Sequence, residues 1–118
     1  MRFTIDASAA TPPFEQLRVQ VRDAVAAGEL VAGAKLPTVR ALAEQLGLAV
    51  NTVARAYREL ETDRVIETRG RAGSFVAPQG DAGRQQAQLA ARAFVDQARR
   101  LGLDDAAALD LVRAAQRG

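Results

Sequence analysis

The sequence contains no cysteine, no histidine and no tryptophan, and aromatic residues make up only 4% of it. Without thiols there can be no disulfide and no thiolate metal site; without imidazole the commonest metal ligand and general base is gone. Neither a Ser/His/Asp nor a Cys/His arrangement is available for nucleophilic catalysis. No phosphate-cradling or dinucleotide-binding glycine motif is present, and no carboxylate cluster has metal-ligand spacing. The adjacent acids Asp104-Asp105 read as favourable charge at a helix N-terminus. These absences argue against an enzyme and imply no cofactor and no metal. Long apolar runs are also missing: none nears the ~18 residues of a membrane span. The opening Met1-Arg2-Phe3-Thr4-Ile5-Asp6 lacks the apolar core of a secretory signal. A cytoplasmic protein off the membrane is expected.

What is present suits a small folded regulator. The chain has 118 residues, 48% hydrophobic and 25% charged, enough for one domain of roughly 70–80 residues plus an appendage. The isoelectric point near 9.9 looks basic, yet the formal net charge is only +2. With no His or Cys to titrate near neutrality, a small excess of arginine moves the isoelectric point far upward. Placement of the charges has to decide whether they meet nucleic acid.

No internal repeat is evident. Phe3 and Ile5 alternate with polar neighbours in a short extended segment that Pro12-Pro13 stops. Phe14, Leu17, Val21 and Val25 then recur at helical spacing, with Gly28 placed to end that helix. Leu30 to Pro37 reads as a loop. A second helix is predicted from about Thr38, its cap, to Leu46, closed by Gly47. A third covers about Asn51 to Asp63, with Val53, Ala56, Tyr57 and Leu60 on one face. Two short amphipathic helices joined by the tight turn Gly47-Leu48-Ala49-Val50 form a helix-turn-helix signature. Val65–Thr68 and Ser74–Val76 read as a hairpin around the basic tip Arg69-Gly70-Arg71-Ala72-Gly73. Residues 78–83 have linker composition. Ala87, Ala90, Phe94, Ala98 and Leu101 then keep helical spacing up to Gly102, and Asp104 is placed to cap a last helix bearing Ala108, Leu111, Val112 and Ala115.

In such a motif the second helix enters the major groove. If Val53, Ala56, Tyr57 and Leu60 face the core, the other side presents Asn51, Thr52, Arg55 and Arg58, all able to bond base edges or phosphates. Arg40 stands in the first turn of the preceding helix; Thr38 is first a cap and second a phosphate ligand. Arg69, Gly70 and Arg71 form the hairpin tip. Arg55 and Arg58 also share their helix with Glu59 and Glu61, so as solvated charges they would do nothing specific. The conjunction of short helix, tight turn, polar-faced helix and basic hairpin, in that order, favours DNA binding.

The same residues resemble a known family. Pro13-Phe14-Glu15-Gln16-Leu17, Gly28-Glu29-Leu30, and Leu36-Pro37-Thr38-Val39-Arg40-Ala41-Leu42-Ala43 look like the GntR family of bacterial transcription regulators. So do Leu46-Gly47, Asn51-Thr52-Val53, Ala56-Tyr57-Arg58-Glu59-Leu60-Glu61 and Gly73-Ser74-Phe75-Val76. The opening Phe3-Thr4-Ile5-Asp6 and the short tail are most similar to its YtrA-type subfamily. The resemblance implies a mainly α fold with a small β-hairpin: a winged helix-turn-helix over residues 1–77, a linker over 78–83 and a two-helix dimerisation hairpin over 84–118. It implies that Arg40, the start of the third helix and the wing tip touch DNA. The expected function is a repressor that binds a palindromic operator as a homodimer. A small-molecule effector is compatible with this reading, though no residues identify one.

The chain departs from the family pattern at three places. Ala49-Val50 replaces a polar cap followed by Arg or Pro, leaving Val50 to pack on a thymine methyl or to touch nothing. Arg64 stands where the family has Gly after the third helix. The wing glycines Gly70 and Gly73 are three apart, where two is commoner. The stretch from Arg84, about 35 residues, is too short for the ligand-binding domain of larger relatives. A two-helix hairpin cannot close a core by itself, so its apolar face should meet the winged domain or a partner's hairpin. A helix-turn-helix reused for protein interaction is the main alternative, to which apolar Ala49-Val50 lends support and the Asn51, Thr52, Arg55 and Arg58 face does not.

Overall fold

The computed structural model describes residues 2–80 and 82–118; Met1, and Asp81 of the expected linker, lie outside the described residues. Helix α1 spans Pro13–Ala26, with Pro13 supplying a preset φ at the first position. Its stripe Leu17, Val21, Ala24 and Val25 is buried. The helix stops in a reciprocal pair of bonds, Gly28 N–H to the Val25 carbonyl (3.2 Å) and Glu29 N–H to that of Ala24 (2.9 Å).

Helix α2 spans Val39–Leu46. Thr38 caps it, its hydroxyl accepting the Ala41 N–H at 3.1 Å. Gly47, at φ 66°, ends it and lets the Leu48 N–H reach the Ala43 carbonyl at 2.9 Å. A side chain there would strain the backbone, so the glycine fixes the sharp exit toward the next helix. Helix α3 spans Val50–Thr62, one residue ahead of the expected boundary at both ends. Its buried face is Val53, Ala56, Tyr57 and Leu60, as the spacing predicts.

Strands β1 (Ile66–Thr68) and β2 (Ser74–Val76) pair antiparallel, with Ile66 opposite Val76. Val65 does not join β1: its N–H closes the end of α3 on the Leu60 carbonyl at 2.9 Å. The loop expected over Leu30 to Pro37 contributes a third edge to this wing. Lys35 bridges Phe75, and bonds run from Leu36 N–H to the Ser74 carbonyl (2.8 Å) and from Val76 N–H to that of Ala34 (2.9 Å).

The core lies where α1, α3 and the wing converge. Leu17, Val21, Val53, Leu60, Ile66 and Val76 are the largest fully buried side chains. Truncating Leu17 or Leu60 to Ala would remove about 2–5 kcal/mol. Phe3 and Ile5 pack against this core from the extended segment. That segment has no strand partner among the described residues; instead two glutamines one turn apart on α1 serve its backbone. Gln20 exchanges two bonds with Thr4 (2.9 and 2.7 Å), and Gln16 accepts the Asp6 N–H at 2.8 Å.

Helices α4 (Ala82–Arg100) and α5 (Asp105–Arg117) form the C-terminal hairpin. Asp104 caps α5, its Oδ1 accepting the Ala107 N–H at 2.8 Å. Ala98 and Ala108 are buried, Val95 is half-buried, and Leu89, Phe94, Leu109, Leu111 and Val112 are exposed. Gln79 and Gln88 exchange two bonds, at 2.8 and 2.9 Å, that pin α4 to the wing's exit. No helix among the described residues is long and apolar enough to cross a membrane.

Candidate nucleic-acid interface

Three elements carry the candidate contacts. The first is α3, whose exposed stripe is Asn51, Arg55 and Arg58, spaced four and three apart and opposite the core face. Asn51 and Arg58 make no side-chain hydrogen bond or ion pair among the described residues, which leaves their polar atoms available. Arg55 is differently placed. Its guanidinium lies 3.7 Å from the centre of the Phe14 ring, and its Nε stands 3.9 Å from Glu59 Oε2. That carboxylate oxygen is buried without a hydrogen bond among the described residues, so Arg55 supplies its nearest countercharge. A cation over a ring face is held by the ring's quadrupole. Arg55 is thus drawn toward α1, and Thr52 is half-buried.

The second element is α2. Arg40 is exposed in its first turn and unpaired among the described residues, while the hydroxyl of Thr38 is occupied by its capping bond. The turn between Pro37 and Thr38 is held by α3 itself: the Tyr57 hydroxyl donates to the Pro37 carbonyl at 2.7 Å. Burial of that phenol pushes its pKa up to about 12.

The third element is the wing. The extra residue between its glycines is absorbed by a 3-10 turn, Gly70–Ala72, with Gly70 at φ 53° and Gly73 at φ 108°. Only glycine adopts the Gly73 conformation readily, and a Cβ there would stand 3.2 Å from Lys35 Cε. Arg71 is exposed at the tip and unpaired among the described residues. Arg69 bonds Glu67 at 2.6 Å and covers the Phe75 ring at 4.4 Å, so its guanidinium is engaged within the wing. Lys35, which the sequence reading passed over, brings a further cation beside the tip through its bridge to Phe75. Its only local signal was alternation with Ala34 and Leu36, too short to mark a strand.

A helix-turn-helix whose second helix offers a polar stripe, flanked by a basic two-stranded wing, defines a winged-helix DNA-binding protein. Residues 13–76 match the family described as bacterial regulatory proteins, gntR family. The chain is 54% identical over 99 residues to the HTH-type transcriptional regulator Rv1152 of Mycobacterium tuberculosis, covering 84% of this chain and 81% of that protein. It is 42% identical over 74 residues to the HTH-type transcriptional repressor YtrA of Bacillus subtilis, covering 62% of this chain and 56% of that one. Among solved structures, YtrA from Sulfolobus acidocaldarius, a GntR-family transcription factor, superposes with a TM-score of 0.62 at 26% identity, over 98% of this chain and 97% of that one. The chain belongs to the GntR family, with homology to its YtrA subfamily. It is a sequence-specific DNA-binding transcriptional regulator rather than an enzyme.

Proposed function

We propose that the protein is a cytoplasmic, homodimeric repressor that binds a two-fold symmetric DNA operator. Residues 1–77 form the DNA-reading unit, 78–83 the connection and 84–118 the dimerisation unit. The observation that carries this reading is the apolar surface of the C-terminal hairpin. Phe94, Leu109 and Val112 share one open groove with Val31 of the winged unit, and all four are exposed. Single exposed apolar side chains are ordinary, but a contiguous patch marks an interaction site. A second hairpin of the same kind supplies a self-complementary cover and sets two α3 helices on one face. The repressor role draws support from the Bacillus subtilis relative, named a repressor.

Within each half, Asn51 and Arg58 approach base edges from α3. Arg40, Arg71 and Lys35 hold phosphates, with Thr38 and Gly70 bordering them, while Thr52, Arg55 and Arg69 support the reading helix and the wing. Selection of bound sequences from random duplexes, joined to sedimentation of the free protein, tests this. A palindrome with half-sites about one helical turn apart or a multiple of it, together with a dimer, is the expected outcome. A single asymmetric half-site and a monomer would overturn it.

A further inference from the structure

The major groove presents guanine as two acceptors, adenine as one acceptor and one donor, and thymine as an acceptor beside a methyl group. A reading helix selects among these with the side chains of its first turn. In α3 that turn offers no cation. Ala49 and Val50 are exposed, Val50 at 41%, and Asn51 is exposed with both amide atoms unused among the described residues. Ala54, one turn after Val50, is small, and Arg55, one turn after Asn51, is drawn aside onto the Phe14 ring. The first arginine along the helix, Arg55, is stacked on Phe14, and Arg58 follows only in the third turn. The forked donors that guanine requires are therefore missing where the helix begins. An amide and a branched hydrocarbon stand there instead. Valine in a helix holds essentially one χ1 rotamer, so its two methyl groups sit at a fixed place.

We propose that the first turn of α3 reads A·T pairs: Asn51 bonds adenine N6 and N7, and Val50 packs on the C5 methyl of a neighbouring thymine. This rests on the operator reading above and adds the base identity to it. Val50 is a specificity-determining residue in this scheme, and its exposure in the free protein is the open half of a contact completed by DNA.

The test uses the full chain and the duplex recovered from random selection. Each thymine is replaced singly by deoxyuridine, which deletes only the methyl, and each adenine by 7-deazaadenine, which deletes only the N7 acceptor. Binding is read by fluorescence anisotropy for the wild type, Val50→Ala and Asn51→Ala. One thymine per half-site should lose about fourfold with the wild type, the worth of one buried methyl group, and nothing further with Val50→Ala. One adjacent adenine should lose about tenfold with the wild type, the low range of a bidentate base contact, and nothing further with Asn51→Ala. A palindrome with no methyl-sensitive thymine, or one whose sensitivity survives in Val50→Ala, overturns this proposal and leaves the operator reading standing. Failure of any sequence to enrich overturns both. The wild-type scan alters only DNA and is free of any folding defect; Val50→Ala must keep its adenine sensitivity and Asn51→Ala its thymine sensitivity, which a misfolded reading helix would lose.

Discussion

The hydroxyl of Tyr57 donates to the carbonyl of Pro37 at 2.7 Å, tying the middle of the reading helix to the turn that launches α2. Both ends are shielded, so the bond acts as a fixed strut between the two helices of the motif. Tyr57→Phe removes it and leaves the carbonyl unserved, a loss of about 0.5–1.5 kcal/mol. Chemical denaturation at neutral pH measures this.

The same phenol gives a pH dependence. Burial raises its pKa to about 12 in the folded protein, above the ~10 of a free tyrosine. A raised folded pKa means that the phenol's contribution is complete below pH ~10 and is lost as pH climbs through 12. Between these values the unfolded chain ionises and the folded one resists. The wild type should therefore lose stability across this window more steeply than Tyr57→Phe. Parallel slopes would mean that the phenol ionises as easily in the fold as out of it.

Arg64 sits at φ 59°, the only non-glycine residue with positive φ among those described. It follows α3 as the left-handed stop, with its N–H bonded to the Glu61 carbonyl at 3.0 Å. Its side chain is exposed and makes no hydrogen bond or ion pair among the described residues. Arg64→Gly relieves about 1–2 kcal/mol of backbone strain and returns about 0.4–1 kcal/mol through the looser unfolded chain. A net rise of a few degrees in Tm is expected. An unchanged or lower Tm would mean that the arginine side chain stabilises the fold in some other way.

How far the fold was legible depended on how local its causes are. Thr38, Gly47 and Asp104 mark helix ends because a cap acts on its own turn, and the buried stripe of α3 follows from spacing alone. Arg64 stood out only through the resemblance, as an arginine where the family has Gly, and it does take positive φ. Contacts between distant parts of the chain left no such mark. Nothing near Lys35 announces Phe75 as its bridge partner, and nothing near Arg55 announces the ring of Phe14. Periodicity says which face of α3 is exposed. It does not say which neighbour a long arginine on that face will choose, and this is why Arg55 and Arg58, alike in sequence, differ in place. Nothing near Gln16 and Gln20 announces Asp6 and Thr4 as their partners across the chain.

Ala49 occupies the cap position of α3 without a side-chain bond to the helix. The free N–H groups of the first turn are therefore left to water, or to a DNA phosphate drawn by the helix dipole. Ala49→Ser should stabilise the protein by about 1 kcal/mol. Ala49→Asp should stabilise it comparably but weaken DNA binding, since its carboxylate repels the phosphate backbone. Melting curves and anisotropy on the same two variants separate the effects. Equal affinity for both would remove the start of α3 from the interface.

Arg71 and Arg69 stand two residues apart on the wing yet should behave differently. Arg71 is unpaired among the described residues, whereas Arg69 is held by Glu67 and Phe75. Arg71→Ala should weaken selected and scrambled duplexes alike and lower the salt slope of binding by about 1, the signature of one lost phosphate contact. Arg69→Ala should move the slope less and the melting temperature more. A loss confined to the selected duplex would place Arg71 on base edges instead.

Leu109 on α5 and Phe94 on α4 line the groove that the proposed dimer covers. Neither belongs to the core of the winged unit, so a charge at either place should leave that unit folded. Phe94→Glu and Leu109→Glu are each expected to shift sedimentation from dimer to monomer. Operator affinity should then fall by more than tenfold, because each half-site must be bound separately and the effective-concentration gain of a linked pair is lost. Affinity for an isolated half-site should stay as it was, since Asn51, Arg58 and Arg71 are untouched. That second measurement distinguishes lost dimerisation from damage to the reading helix. A variant that remains dimeric with full operator affinity would show that this apolar groove is covered in some other way, and would move the dimer contact elsewhere on the hairpin.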